Sequence, residues 1–264
     1  MEMEEMAYYP GCTLKTNAKE FEDSLLKIFK KLGIKLKELN KWYCCGTVYS
    51  LATDNLMYRL AAIRNLIKVM EEGYNKVLVP CSICYNTLKQ ANLMARNDKE
   101  AMEKINSFMD EEPDYDGSVE VLHPLELLRE KIDKIKGKGK LNGKYACYYG
   151  CLLLRPKEVA IDEYEMPTIM EKIVEALGGS VVNFPLKNEC CGSYNVVSNK
   201  EAVIDRVYRI IMNARKNEAE AILTSCPLCH FNLKEMQNEI KKIHADFVDM
   251  PIYYFSQIIE EALE

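Results

Sequence analysis

Two kinds of apolar spacing alternate along this chain, and the whole alternation occurs twice. Short apolar runs at Ala7-Tyr8-Tyr9 and at Tyr145-Ala146-Cys147-Tyr148-Tyr149 predict strands. Each gives way to apolar residues three and four apart: Phe21, Leu25, Ile28, Phe29 and Leu32 first, Ile169, Ile173, Val174 and Leu177 later. That spacing lines one face of a helix, which Gly33 and Gly178-Gly179 should end. Second strands follow at Ile34 to Leu39 and at Val181 to Phe184. Amphipathic helices come next, carrying Leu56, Leu60, Ile63, Ile67 and Met70 in one copy and Val203, Val207, Ile210 and Ile211 in the other. Third strands, Val77-Leu78-Val79 and Ala221-Ile222-Leu223, run into further helices. Even the tails correspond, Val119 to Leu128 and Ile252 to Ile259 each reading as a strand and then a helix.

Strands alternating with helices of ten or more residues are the pattern of βαβ units. The fold class is therefore α/β, internally duplicated, with mainly parallel sheets. The first domain is expected over 1–136 and the second over 145–264. Between them, 137–144 belongs to a stretch of glycines set among lysines, Lys134 to Lys144, which reads as the linker.

Composition narrows the class. Hydrophobic residues make up 48% and charged residues 28% of 264, and no apolar run approaches the roughly 18 residues of a membrane span. The net charge of −5, with no basic stripe in either half, argues against nucleic acid as a partner. The opening MEMEEM lacks the basic-then-apolar pattern of a secretory signal, so the chain is expected in the cytoplasm, a reducing compartment. In that setting 11 cysteines point to metal or redox chemistry rather than structural disulfides.

Ten of those cysteines follow the repeat. Cys12, Cys44-Cys45-Gly46, Cys81 and Cys84 form the first set; Cys151, Cys190-Cys191-Gly192, Cys226 and Cys229 form the second. The long gaps are 31 and 35 residues in the first set and 38 and 34 in the second, so matching positions lie 139 to 146 residues apart. In a parallel sheet the carboxyl ends of the strands face one crevice, so the cysteine groups of each half should converge there. Zinc is one candidate for such thiolates, although structural zinc takes four ligands and each half offers five, two of them adjacent. A thioredoxin-like dithiol is another reading of a Cys-x-x-Cys that follows a strand and opens a helix. Iron–sulfur clusters suit five thiolates best, because adjacent cysteines can serve neighbouring irons.

The stretches YYPGCTLKT around Cys12, CSICYNTL around Cys81, YYGCLLLRP around Cys151 and SCPLCHFNL around Cys226 carry a resemblance over essentially the whole chain. They resemble the paired cysteine-rich CCG domains of the heterodisulfide reductase B subunit and its relatives. Gly46 and Leu152 stand where methanogen B subunits carry Pro and His, so the first motif resembles that of bacterial complexes more closely. The resemblance implies two noncubane [4Fe-4S] clusters. Cys12, Cys44, Cys45, Cys81 and Cys84 would ligate the first; Cys151, Cys190, Cys191, Cys226 and Cys229 the second. It further implies a small-molecule or protein disulfide bound between the clusters and cleaved there, each sulfur captured by one cluster. Electrons would come from a ferredoxin-like C-type subunit fed by a flavin-containing A-type subunit. The chain itself carries no GxGxxG and no GxxxxGK[ST], so it should need those partners.

Other residues are weaker candidates. His230, next to Cys229, could give a proton to a released thiolate, and Arg155 and Lys157 could bind an anionic substrate; each is as easily a satisfied or solvated side chain. Cys147 stands outside the repeat and, by strand alternation, shares a face with Cys151, although a buried inert thiol is the plainer reading. His123 and His244 have no motif support, Arg59 and Arg64 read as a solvated helix face, and Asp110 to Asp116 as a surface loop. The leading expectation is the disulfide-reducing subunit of a heterodisulfide reductase-like complex. A second is an electron-transfer subunit of a flavin-linked oxidoreductase of the glycolate, lactate or glycerol-3-phosphate type, and a third is a zinc-stabilised scaffold.

Overall fold

Each half of the chain builds one four-stranded sheet in which every pairing is parallel. The computed structural model describes residues 3–47 and 55–264. The first half runs β1 (Glu4–Tyr8), α1 (Gly11–Leu14), α2 (Lys19–Lys31), β2 (Ile34–Glu38), α3 (Leu60–Glu71) and β3 (Lys76–Leu78). It continues with α4 (Ser82–Asn97), α5 (Lys99–Phe108), β4 (Glu120–Leu122) and α6 (Pro124–Glu130). The second half runs β5 (Lys144–Tyr148), α7 (Ile169–Ala176), β6 (Ser180–Val181), α8 (Asn195–Ser198) and α9 (Lys200–Lys216). It ends with β7 (Ala221–Thr224), α10 (Pro227–Ile243), β8 (Ile252–Tyr254) and α11 (Phe255–Leu263).

The strand order is β2-β1-β3-β4 in the first sheet and β6-β5-β7-β8 in the second. In both, the chain moves to one side of the first strand and then to the other. The crevice that such a reversal leaves at the carboxyl ends therefore lies between β1 and β3, and between β5 and β7. The helices cover the sheets with the faces the periodicity specifies: Phe21, Leu25, Ile28 and Phe29 of α2 are fully buried, as are Val203, Val207 and Ile211 of α9.

One strand is shorter than its apolar run. Of Val181 to Phe184, only Val181 lies in β6, paired with Tyr145. Pro185 follows, has no N–H to give a ladder and restricts the residue before it. The chain turns away instead, and Phe184 is buried in the core. The glycine–lysine stretch is likewise fastened: Gly137 N–H donates to Ala176 O at 2.9 Å and Leu141 N–H to Leu177 O at 3.0 Å.

The halves exchange their last helices. α6 packs on α7, the first long helix of the second half, while α11 packs on α2 of the first. At the second contact Phe21 stacks on Tyr254 with ring centroids 4.4 Å apart and meets Phe255 edge-on at 5.7 Å. Beside it the buried hydroxyls of Ser24 and Ser256 are 2.6 Å apart.

Candidate functional site

The repeat cysteines come after the carboxyl ends of strands, the Cys-Cys-Gly pairs at the end of longer loops and Cys84 and Cys229 in the first turn of the helix that follows. Cys12 and Cys81 follow β1 and β3 across the reversal point of the first sheet, and Cys151 and Cys226 follow β5 and β7 in the second. The Cys-Cys-Gly turns arrive from β2 and β6. A buried tyrosine fixes each turn: Tyr9 Oη donates to the carbonyl of Tyr43 at 2.7 Å, and Tyr148 Oη to that of Glu189 at 2.6 Å. These carbonyls belong to the residues immediately before Cys44 and Cys190. In the first half Asn65, fully buried, also grips Tyr43, accepting from its N–H at 2.8 Å and donating to its carbonyl at 3.1 Å.

Within each half the sulfurs meet. Cys45 neighbours Cys44 and Cys84, and Cys84 neighbours Cys81, closely enough for each to act on the proton of the other. Cys12, exposed at the edge, lies close enough for its charge to act on Cys44. In the second half Cys151 neighbours Cys190, and Cys229 neighbours both Cys191 and Cys226. All five cysteines of this half line one small common space. Sharing of protons separates the thiols: Cys44 lowers Cys45, and Cys151 lowers Cys190, while Cys44 and Cys151 are themselves raised by those same partners.

The backbone leaves room for these sulfurs. At Gly11, φ is +71° and a Cβ would stand 2.9 Å from Cys84 Sγ; at Gly150, φ is +65° and the same atom would stand 3.2 Å from Cys229 Sγ. Among the described residues no three Cys, His, Asp or Glu side chains close on a point as ligands of one ion would. The donor set and the space it surrounds fit a group of several atoms held by five thiolates, as in iron–sulfur clusters.

Two polar residues that the sequence does not advertise stand behind the second cysteine of each Cys-Cys-Gly. Asn232, fully buried, directs its amide to Cys191 Sγ at 3.4 Å, and Thr87, at the matching place in the first half, is buried with its hydroxyl donating to the carbonyl of Ile83 at 2.9 Å. Each lies three residues after the last cysteine of its Cys-x-x-Cys, so laying one copy of the repeat over the other would have found them. Hydrogen bonds to ligand sulfur are a recognised control of cluster potential.

The two nests adjoin each other where the halves meet. Ser82, next to Cys81, and Ser225, next to Cys226, are buried with their hydroxyls 3.0 Å apart. Asn86 of the first half donates to the carbonyls of Leu152 and Arg155 of the second, both at 2.7 Å. Outside this seam a crevice of about 350 Å³ opens between the halves, reaching Cys81, Tyr194, Leu228, His230 and Tyr254.

His230 is buried in the wall of that crevice and stacks on Tyr254 at 4.1 Å. Burial, and then Lys234, hold its imidazole uncharged down to about 4. The Arg155 side chain is exposed, and Lys157 lies over the ring of Tyr164 at 5.4 Å. Cys147 does not line the space of the second nest: β5 ends at Tyr148 and the chain turns at Gly150, leaving this thiol in the core, raised by burial and then by Glu171. Arg64 is held in place rather than solvated, donating from Nε to both oxygens of Glu112 at 3.0 and 2.8 Å.

A family model described as "Cysteine-rich domain" (CCG) matches the chain twice, over residues 6–89 and 145–234. The chain is 36% identical to the 8-methylmenaquinol:fumarate reductase membrane anchor subunit of Wolinella succinogenes, over 98% of this chain and 92% of that one. It is 27% identical to the B subunit of the ferredoxin/F(420)H(2)-dependent CoB-CoM heterodisulfide reductase of Methanosarcina acetivorans, over 99% and 90%. Among solved structures, a hypothetical protein from Helicobacter pylori superposes with a TM-score of 0.78 at 12% identity. That match takes in 100% of this chain but 50% of the other, so the chain spans half its length and shares its fold.

Proposed function

The chain belongs to the CCG cysteine-rich domain family, in two copies and alongside proteins named as heterodisulfide reductase B subunits, and on that footing we propose that it reduces a disulfide between two iron–sulfur clusters. It is an oxidoreductase subunit of the heterodisulfide reductase type. Cys12, Cys44, Cys45, Cys81 and Cys84 would hold one cluster and Cys151, Cys190, Cys191, Cys226 and Cys229 the other, five thiolates each favouring the noncubane [4Fe-4S] kind.

The adjoining of the nests at Ser82 and Ser225 carries this reading. Reduction of a disulfide takes two electrons, and a bound cluster supplies one at a time. Two clusters at one crevice therefore match the stoichiometry of a single S–S bond. The residues of the chain do the rest. Tyr9 and Tyr148 hold the Cys-Cys-Gly turns, Asn232 polarises the sulfur of Cys191, and the Ser82–Ser225 seam keeps the halves in fixed relation.

Electrons would reach the chain from a ferredoxin-like subunit supplied in turn by a flavin-containing one, in a reducing compartment where its free cysteines persist. No described helix is long and apolar enough to cross a membrane. A second reading has a specific observation in its favour: identity is higher to the Wolinella succinogenes protein, at 36%, than to the Methanosarcina acetivorans one, at 27%. It makes the chain an electron-transfer subunit of a quinol-linked oxidoreductase, with no disulfide broken.

Anaerobic purification with iron, sulfide and zinc analysis tests the first step, with about eight irons per chain expected for two four-iron clusters. Two zincs without sulfide would overturn it. Oxidised protein is then mixed with thiols, and a new paramagnetic signal is expected. Silence with every thiol would leave the electron-transfer reading.

A further inference from the structure

The loop after the second Cys-Cys-Gly is bent against its own preference. Gly192 has φ +99°, where a Cβ would strike Val203 Cγ2 at 2.7 Å, and Ser193, which does carry a side chain, follows at φ +52°. A non-glycine residue in this region persists only where its surroundings impose it, and such residues gather at functional sites. Asn232 imposes it here, its amide donating to the carbonyls of Cys191 at 3.4 Å and Ser193 at 3.1 Å.

The bend delivers Tyr194 into the crevice between the halves. There it shares the wall with Cys81 of the other half and is 40% exposed. Its phenol is kept protonated first by burial and then by sulfur charge from both nests, in the order Cys81, Cys226, Cys45 and Cys84. A phenolic O–H of the second half that shares a crevice wall with Cys81 of the first is a hydrogen-bond donor placed where a disulfide in that crevice would gain negative charge.

We propose that Tyr194 is a catalytic residue that donates its phenolic O–H to a sulfur of the disulfide in this crevice. The assignment rests on the disulfide-reducing reading. The overall change is RS–SR′ plus two electrons and two protons giving RSH and R′SH. The S–S bond breaks, each sulfur leaves with one electron and one proton, the electrons come from the low-potential iron–sulfur partner, and the protons come from solvent. Tyr194 meets the charge on one departing sulfur before that proton arrives.

The test compares the cluster-loaded protein with Tyr194→Phe, using reduced methyl viologen as donor. CoB–CoM heterodisulfide, oxidised glutathione and disulfide-bonded thioredoxin are the probes. The variant is expected to keep its iron, sulfide and rate of electron uptake while kcat falls about 10-fold or more and KM moves little, the pattern for a bond made chiefly in the transition state. Wild-type kcat and KM in the variant would overturn the assignment, and so would loss of iron, which would make Tyr194 a structural residue. A wild-type protein that holds its clusters but reduces none of the three disulfides would sink the disulfide reading itself, and Tyr194's role with it.

Discussion

Gly11 shows how closely single atoms constrain this site. A methyl group there would sit 2.9 Å from Cys84 Sγ on a backbone at φ +71°, where an L-residue is already strained by about 1 kcal/mol or more. Cys84 cannot yield easily, since it is buried with Cys45 and Cys81 beside it. Gly11→Ala should therefore empty the first nest and spare the second, cutting iron per chain by about half. Gly150→Ala, with 3.2 Å to Cys229 Sγ, should do the same to the second nest more mildly. Full iron content in Gly11→Ala would refute this account of the glycine. At this scale the sequence announces the cysteines, because thiolate chemistry needs that residue type and the spacing repeats. It does not announce Thr87, Asn232 or Tyr194, whose residue types are common on helices and loops. Their meaning comes from what folding sets beside them.

The helix starts are where elements and site meet. α6 begins at His123, whose Nδ1 accepts from Leu125 N–H at 3.2 Å while Glu126 accepts from His123 N–H at 2.7 Å, a capping box. Its Nε2 lies 3.0 Å from the carbonyl of Pro80, the residue before Cys81, so the cap also steadies the end of β3. Burial lowers the imidazole from 6.5 to about 3, so the fold holds it neutral. The unfolded chain takes a proton below pH 6.5 that the folded chain refuses until about 3. Stability from this group is thus complete above 6.5 and is lost as pH falls, by up to about 1.4 kcal/mol per pH unit. Urea unfolding of wild type and His123→Asn, which keeps a capping acceptor, should show the difference between them shrinking by about 2 kcal/mol from about pH 7 to about pH 5. A constant difference would mean His123 titrates normally. The sequence shows the helices and most strands, since periods of 3.6 and 2 are local properties. It overstates β6, because Pro185 ends the ladder that the apolar run continues. Nor can an amphipathic stripe say which neighbour covers it, so the exchange of α6 and α11 between halves is invisible in the pattern.

That exchange makes the duplicated chain one mechanical body. The first half lends α6 to α7 and receives α11 on α2, and the buried Ser82–Ser225 and Ser24–Ser256 contacts close the seam on either side. Two nests that adjoin across the Ser82–Ser225 seam need a fixed spacing, and a linker alone could not supply it. Reciprocal helices can, because neither half then buries its own apolar faces without the other. Phe21 is the clearest probe: fully buried on α2 and stacked on Tyr254, it belongs to one half and is covered by the other. Phe21→Ala should cost about 3 to 5 kcal/mol, the usual range for a buried aromatic cut to alanine. The loss should appear in a single unfolding transition shared by both halves. Trp42, the lone tryptophan, reports on the first half by fluorescence, and hydrogen exchange at β7 reports on the second. If Phe21→Ala loosened Trp42 while β7 kept its protection at the same denaturant concentration, the halves would be independent folding units, and the fixed spacing of the nests would need another explanation.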